Sequence, residues 1–346
     1  MKALFDISHP AHAHFFKNPA KILGERGHDV AFASRDKDVT LSLLDELGVQ
    51  HHPLSTQGRG VGGLLRELGQ RDFALWRLTR ALKPDVMAAI GGTYVAHVGR
   101  LTGIPGLVFY DTEIAKLQNL ITYPLAHHVY VPECYHAWLP KRHTRYAGYH
   151  ELAYLHPDYF VPDRAVAVSN GLAEVGDTFL LRLVSWEANH DIGEVGWSED
   201  LAVKLVGKLA ALGKVVISSE KPLPPSLAPY AYEGARSALH HLLAFCRLVV
   251  GESATMASEA TVLGVPSIYA ATSGRGYIDE QETRYGLVTN VRAPAWAPIE
   301  AAVDTILARP QECWRERREA LLADTTDVAV LVADECERWS RQRSPA

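Results

Sequence analysis

The chain has 346 residues, 47% apolar and 22% charged, with a formal net charge of −5 and an isoelectric point near 6.3. That length and apolar content are enough for two domains with separate cores, and the mild acidity supplies no overall basic field, so no nucleic-acid partner is expected. The four cysteines, Cys134, Cys246, Cys313 and Cys336, are scattered without a close pair, which excludes a zinc knuckle or dithiol motif and reads as reduced, buried thiols.

MKALFDISHP lacks the long apolar stretch of a signal peptide and no 18-residue apolar run follows, so the expected compartment is the cytoplasm. ALFDI (3–7), DVAFAS (29–34), DVMAAI (85–90), GLVFY (106–110) and HHVYVP (127–132) have the length and content of buried strands. FFKNPAKILGERGH and VTLSLLDELGV space apolar residues three and four apart and each meets a Gly, as helices do. Alternating strands and helices predict a parallel sheet covered on both faces, here over residues 1–155. YAGYHELAYLHPDYFVPDRAVAVSNG has no regular period and reads as a linker.

Alternation resumes with TFLLRLVSW (178–186), EDLAVKLVGKLAALG ending at Gly213, KVVISS, a Pro-rich turn, SALHHLLAFC and RLVVG. This marks a second α/β domain over 165–320, and two such halves predict a cleft between them. Residues 321–346 read as the end of a charged helical tail.

After RLVVG the chain gives GESATMASEATVLGVP. A strand that ends, turns and opens a helix behind Ser253, Ala254, Thr255 and Met256 leaves bare amides at the positive end of a dipole, a place for a diphosphate. Glu259, one turn inside, can reach the hydroxyls of a ribose. An ordinary capping box, with Thr255 as cap, accounts for the same spacing.

SHPAHAHFF follows the first strand and carries His9, His12 and His14, at the strand end where open α/β sheets place their chemistry. His12 suits a general base near pH 7, with His14 facing an acceptor. Zinc on the three histidines is the competing reading, weakened by H-x-x-H-x-H spacing and by Asp6 as the only adjacent carboxylate. YDTE supplies Asp111 and Glu113, either an acid–base pair or a solvated helix start. Gly91, Gly92 and Thr93 let backbone approach a ligand or simply permit a tight turn. Trp186 can stack on a base or pack at its strand end.

Several of these stretches, FDISHPAHAHFFKN, GERGHDV, YDTE, YAGYHELAYLHP, LRLVSWEANHDIG and GESATMASEATVLGVP, together resemble the DUF354 family, over roughly residues 5–266. The last also resembles the donor-nucleotide motif of GT-B glycosyltransferases such as the lipid II-forming enzymes, and of UDP-N-acetylglucosamine 2-epimerases. The resemblance implies a GT-B-like fold: two Rossmann-like domains whose parallel sheets face each other across a cleft. It implies Glu259 on the ribose, residues 253–255 on the diphosphate, and His12 where those transferases carry a loop histidine. Arg182, His190 and Arg275 become groups for donor phosphate or sugar. The leading His of the epimerase stretch is absent near Val184, and Glu252 stands where a Gly-rich lead-in is usual.

The expected function is a glycosyltransferase using a nucleotide-diphosphate sugar, a UDP-sugar first, with an acceptor that can be lipid-linked at a membrane surface. That mechanism needs no metal and no cofactor. A non-hydrolysing UDP-N-acetylhexosamine 2-epimerase and a nucleotide-sugar binding protein without turnover are the alternatives.

Overall fold

The computed structural model describes residues 1–36, 41, 44–45, 48, 50–56, 60–184 and 196–343. It forms two compact units, one made of Met1–Tyr159 and Thr326–Ala346, the other of Phe160–Thr325.

In the first unit the elements run β1 (Lys2–Ile7), α1 (Pro10–Glu25), β2 (Asp29–Asp36), β3 (His51–Thr56), α2 (Gly60–Leu82), β4 (Val86–Ile90) and α3 (Thr93–Thr102). They continue with β5 (Gly106–Phe109), α4 (Lys116–Thr122), β6 (His128–Pro132), β7 (His143–Tyr146) and α5 (Leu152–Leu155). The strands form one parallel sheet in the order β3-β2-β1-β4-β5-β6-β7. β1 lies mid-sheet with helices on both faces, so Ala3, Leu4, Phe5 and Ile7 are all fully buried and the run does not alternate. Phe5 stacks on Phe16 of α1 at 4.5 Å between centroids and meets Phe32 of β2 at 5.6 Å. Each such side chain contributes roughly 1.5–3 kcal/mol by burial.

α1 starts where the chemistry of its first residues requires. Pro10 sits in the first turn, where its missing N–H costs nothing, and the extended His9 caps by accepting from Ala11 N at 3.3 Å. The helix closes near Gly27, whose φ of 79° favours glycine.

The segment predicted as an unstructured linker departs from expectation. Tyr146, Tyr149, His150 and residues 151–155 are buried, because β7 ends at Tyr146 and the chain turns straight into α5. Its Tyr, His and Leu residues fill the core beside α1, where Asn18 Nδ2 donates to Ala153 O at 2.8 Å. The period is missing because the segment is built of single turns. The C-terminal stretch also differs: one helix ends at Asp324 in the second unit, and the last, Val328–Arg343, packs on α1 of the first. Arg26 reaches Asp334 at 2.7 Å, His28 reaches Glu337 at 3.1 Å, and Trp339 Nε1 donates to Tyr130 OH at 2.8 Å.

The second unit opens with α6 (Arg164–Ser169) and β8 (Thr178–Leu183), then α7 (Glu199–Ala210), β9 (Lys214–Ser219), α8 (Leu239–Leu243) and β10 (Leu248–Gly251). It continues with α9 (Ala254–Leu263), β11 (Ser267–Ala270), α10 (Gly276–Glu280), β12 (Val288–Val291), α11 (Trp296–Leu307) and α12 (Gln311–Asp324); the final helix of the chain is α13. Its sheet is again parallel, in the order β12-β11-β10-β8-β9. Gly251 lets β10 end beside β8: a Cβ there would lie 2.2 Å from Arg182 O. α9 is buried at every position except Thr255, which is why it reads as apolar without one amphipathic stripe. Among the described residues, no helix is long and apolar enough to cross a membrane.

Candidate functional site

Open parallel sheets bind ligands beyond the carboxyl ends of their strands, at the point where strand order reverses. In the first unit that point lies between β1 and β4, so the His9–His14 turn and the Gly91–Thr93 turn flank it. In the second it lies between β8 and β10, which brings Arg182 and the start of α9 to one edge.

The first unit gathers titratable groups there. Asp111, just beyond β5, accepts from Thr112 Oγ1 at 2.9 Å and pairs with His150 Nδ1 at 3.1 Å. Burial pushes Asp111 up, but the His150 charge and hydrogen bond, Thr112 and the nearby His12 outweigh it and hold the carboxyl at about 2. His150 follows β7, packs on Phe15 at 4.7 Å, and its buried Nε2 takes no hydrogen bond among the described residues. Tyr146 lies buried alongside, its hydroxyl pushed well above the usual tyrosine range by burial and by Asp111, Cys134 and Glu151. Glu113 Oε1 accepts from His136 N at 3.4 Å, a long bond across to the turn after β6.

The three histidines of the first turn separate into different roles. His9 caps α1, His12 lies near enough to Asp111 to help lower its pKa, and His14 stacks on Tyr154 at 5.3 Å. Asp6, the carboxylate considered as a companion ligand, is paired with the fully buried Arg71 at 2.5 Å instead. Burial nevertheless raises Asp6 above its ordinary value, against the pull of Arg71. Arg35 grips Glu67 through two bonds of 2.6 and 2.5 Å beside it.

The glycine turn is tightly closed. Gly91 has φ 65°, and its carbonyl accepts from Tyr110 OH and Gln118 Nε2, both at 2.8 Å, and from Thr93 Oγ1 at 3.3 Å. A Cβ on Gly92 would meet Val108 at 2.5 Å. Thr93 is buried against Thr122 at 2.9 Å.

In the second unit the cap of α9 is Ser253, whose Oγ accepts from Met256 N at 3.2 Å, and not Thr255, which lies inside the first turn. Among the described residues the amides of Ala254 and Thr255 have no partner. Glu259 is buried and lies 3.0 Å from His240 Nε2, so it does not close a capping box. Glu252 turns away from the helix start: its carboxylate accepts from Trp197 N at 2.8 Å and Val184 N at 3.2 Å. The negative charge that sequence placed beside the phosphate position is thereby held by backbone donors. Arg182 donates to Ser218 Oγ at 2.9 Å and to Glu220 at 2.6 Å, which neutralises it in place. Arg275 caps α10 and bonds Gly274 O at 2.8 Å, in a loop clamped by Arg292 through Ser273 O at 2.9 Å. His190 and Trp186 lie outside the described residues.

Sequence reasoning missed His150 and Trp197. His150 stood inside a quoted family stretch, and its signal was a histidine just past HTRY, a strand too polar to notice. Trp197 is buried, with Nε1 donating to Ala270 O at 2.9 Å, and ties the loops after β8 and β11.

Two α/β units with wholly parallel sheets, each carrying its polar groups at the carboxyl ends of its strands, place the molecule in the GT-B-like class. The chain belongs to the DUF354 family, described as proteins of unknown function, whose model matches residues 1–217. None of the curated proteins matches it in sequence.

Solved structures share the fold. A putative UDP-N-acetylglucosamine 2-epimerase from Listeria monocytogenes is similar with a TM-score of 0.70 and 10% identity, over 100% of this chain and 97% of that one. A UDP-GlcNAc 2-epimerase from Neisseria meningitidis bound to UDP-GlcNAc gives 0.67 and 12%, over 99% of this chain and 100% of that one. The glycotransferase of kitacinnamycin, for which no organism is named, gives 0.61 and 15%, over 98% of each.

Proposed function

We propose that the protein is a metal-independent glycosyltransferase that takes a sugar from a nucleoside-diphosphate donor. The observation that carries this is the start of α9: a Ser253-capped helix at the switch point of its sheet, with the Ala254 and Thr255 amides unpartnered among the described residues. Such amides and the helix dipole favour a diphosphate and stabilise it as it leaves. Glu259, fixed by His240, is the group for the ribose, and Arg275 a further group for the donor. The Neisseria meningitidis epimerase named above is bound to UDP-GlcNAc, which supports a donor of that class, a UDP-sugar first.

In the first unit His12, backed by Asp111 and His150, takes the proton of the acceptor hydroxyl. The acceptor oxygen then bonds to the anomeric carbon while the bond to the diphosphate oxygen breaks, and the nucleoside diphosphate departs with the electron pair. A lipid-linked acceptor belongs to the same reading.

Epimerisation at C2 is the second reading. Two separate proton-carrying sites at one sheet edge, the Asp111–His150 pair and Glu113, favour it. The protein should melt higher with UDP than without it, by an amount equivalent to about 2.7 kcal/mol at a hundredfold excess over Kd, and UMP, lacking the second phosphate, should stabilise it less. Equal melting with every nucleotide tried sinks the donor site. Proton NMR on UDP-N-acetylglucosamine alone separates the two reactions, since only an epimerase produces a second hexosamine.

A further inference from the structure

The second unit carries a cationic cleft at the opposite edge of its sheet, where strands begin. It has a volume of about 300 Å³ and is lined by Arg247, which precedes β10, by Gly264, which closes α9, and by Gln311, Trp314, Arg315 and Arg318 of α12. We propose that this cleft binds the phosphate group of a small phosphorylated molecule, independently of the nucleotide-sugar reading.

Spacing builds the cleft's charge. Positions 311, 314, 315 and 318 share one face of α12, while Glu312, Glu316 and Glu319 fall outside the lining, so three arginines and no carboxylate face the space. α12 is 14 residues long and Pro310 caps it without a side-chain bond, so its positive end opens beside Gln311.

The wall also retains donors. Trp314 is 4% exposed and, among the described residues, its Nε1 has no hydrogen-bond partner. The Arg247 side chain is 10% exposed; its Nε lies 3.9 Å from Asp177, its Nη2 caps α11 at Leu307 O (3.2 Å) and meets Arg309 O (2.9 Å), yet among the described residues its buried Nη1 has no hydrogen-bond partner. Buried donors left without a hydrogen bond are costly, and both belong to side chains that line the cleft, where an anion supplies acceptors. Arg318 crosses Gly264 so closely that a Cβ there would lie 2.7 Å from its Cδ, and its Nε donates to Val262 O at 2.8 Å, so the fold places this guanidinium deliberately at the wall. At this volume the space suits a small molecule.

The test uses the full chain and follows the Trp314 indole N–H resonance, assigned through Trp314→Phe, during titration with inorganic phosphate and with pyrophosphate. A saturable shift that sodium chloride of equal ionic strength does not reproduce is expected. Arg315→Glu, on an exposed residue, should weaken the apparent affinity about tenfold or more while circular dichroism is unchanged. Arg318→Gln should weaken it as well. A shift that never saturates, that chloride reproduces, or that Arg315→Glu leaves intact overturns the site. Because UDP binding is measured separately, through melting, failure here leaves the α9 reading standing and the reverse also holds.

Discussion

The two units use the same sheet geometry for different ends. At the carboxyl edge of the first, titratable side chains gather: His12 at the start of α1, and Asp111, Glu113 and His150 on the segments after β5 and β7. At the carboxyl edge of the second, charged side chains are largely spent on the protein itself, Arg182 on Glu220, Glu252 on Trp197 N and Glu259 on His240, and backbone amides are what remain. One edge presents side-chain acids and bases, the other backbone donors. The contrast extends inward, since the first unit buries an ionic network around Arg71, whereas the helix beside β10 in the second buries mainly small and apolar residues together with the single carboxylate of Glu259, held by His240.

That comparison can be broken by experiment. The largest effect is expected for Arg71→Ala, which strands the carboxylate of Asp6 inside and should cost about 3–5 kcal/mol in urea unfolding. A loss near zero would mean the network is not buried as described. Gly251→Ala, forcing a methyl against Arg182 O, should cost about 1–3 kcal/mol and shift the start of α9, so UDP protection should fall with it.

Asp111→Asn tests the first edge by pH. Because Asp111 is held below its ordinary value, it adds stability above pH 4 that is lost as pH falls toward 2; the variant should be less stable by about 2 kcal/mol at pH 7 and flatter in that acid window. An unchanged acid slope would falsify the Asp111–His150 pairing. Ser253→Ala removes the α9 cap and should cost about 1 kcal/mol. His12→Ala should change stability by less than about 0.5 kcal/mol, keep UDP protection, and abolish turnover. Retained turnover would move the proton acceptor elsewhere.

Much of this was legible in the chain. Strands with apolar runs, such as ALFDI and RLVVG, announce themselves because both faces are buried, and the helix after RLVVG was visible from its small residues and its Gly264 stop. HTRY and VTNV were not, because each forms an outer strand, β7 of one sheet and β12 of the other, with polar residues among the apolar ones. The position of the candidate residues was legible in residue type and strand end, which sufficed to put His12, Asp111 and the α9 start at the carboxyl ends of their strands. Their partnerships were not legible. Nothing local to Glu252 says that it will turn to Trp197, 55 positions away, and nothing local to Asp111 names His150, because those choices are made by the packing of loops from different strands.

The helix Val328–Arg343 carries a last consequence. Val328, Ala329, Val332, Ala333 and Cys336 are wholly buried in the first unit, although they are translated after all of the second. On a ribosome the later-starting half can therefore finish folding while the earlier one still lacks a wall, leaving the flank of Pro10–Glu25 uncovered until the final segment emerges. The nascent chain matures from its middle outward, and during that interval its opening half is the part most in need of a chaperone.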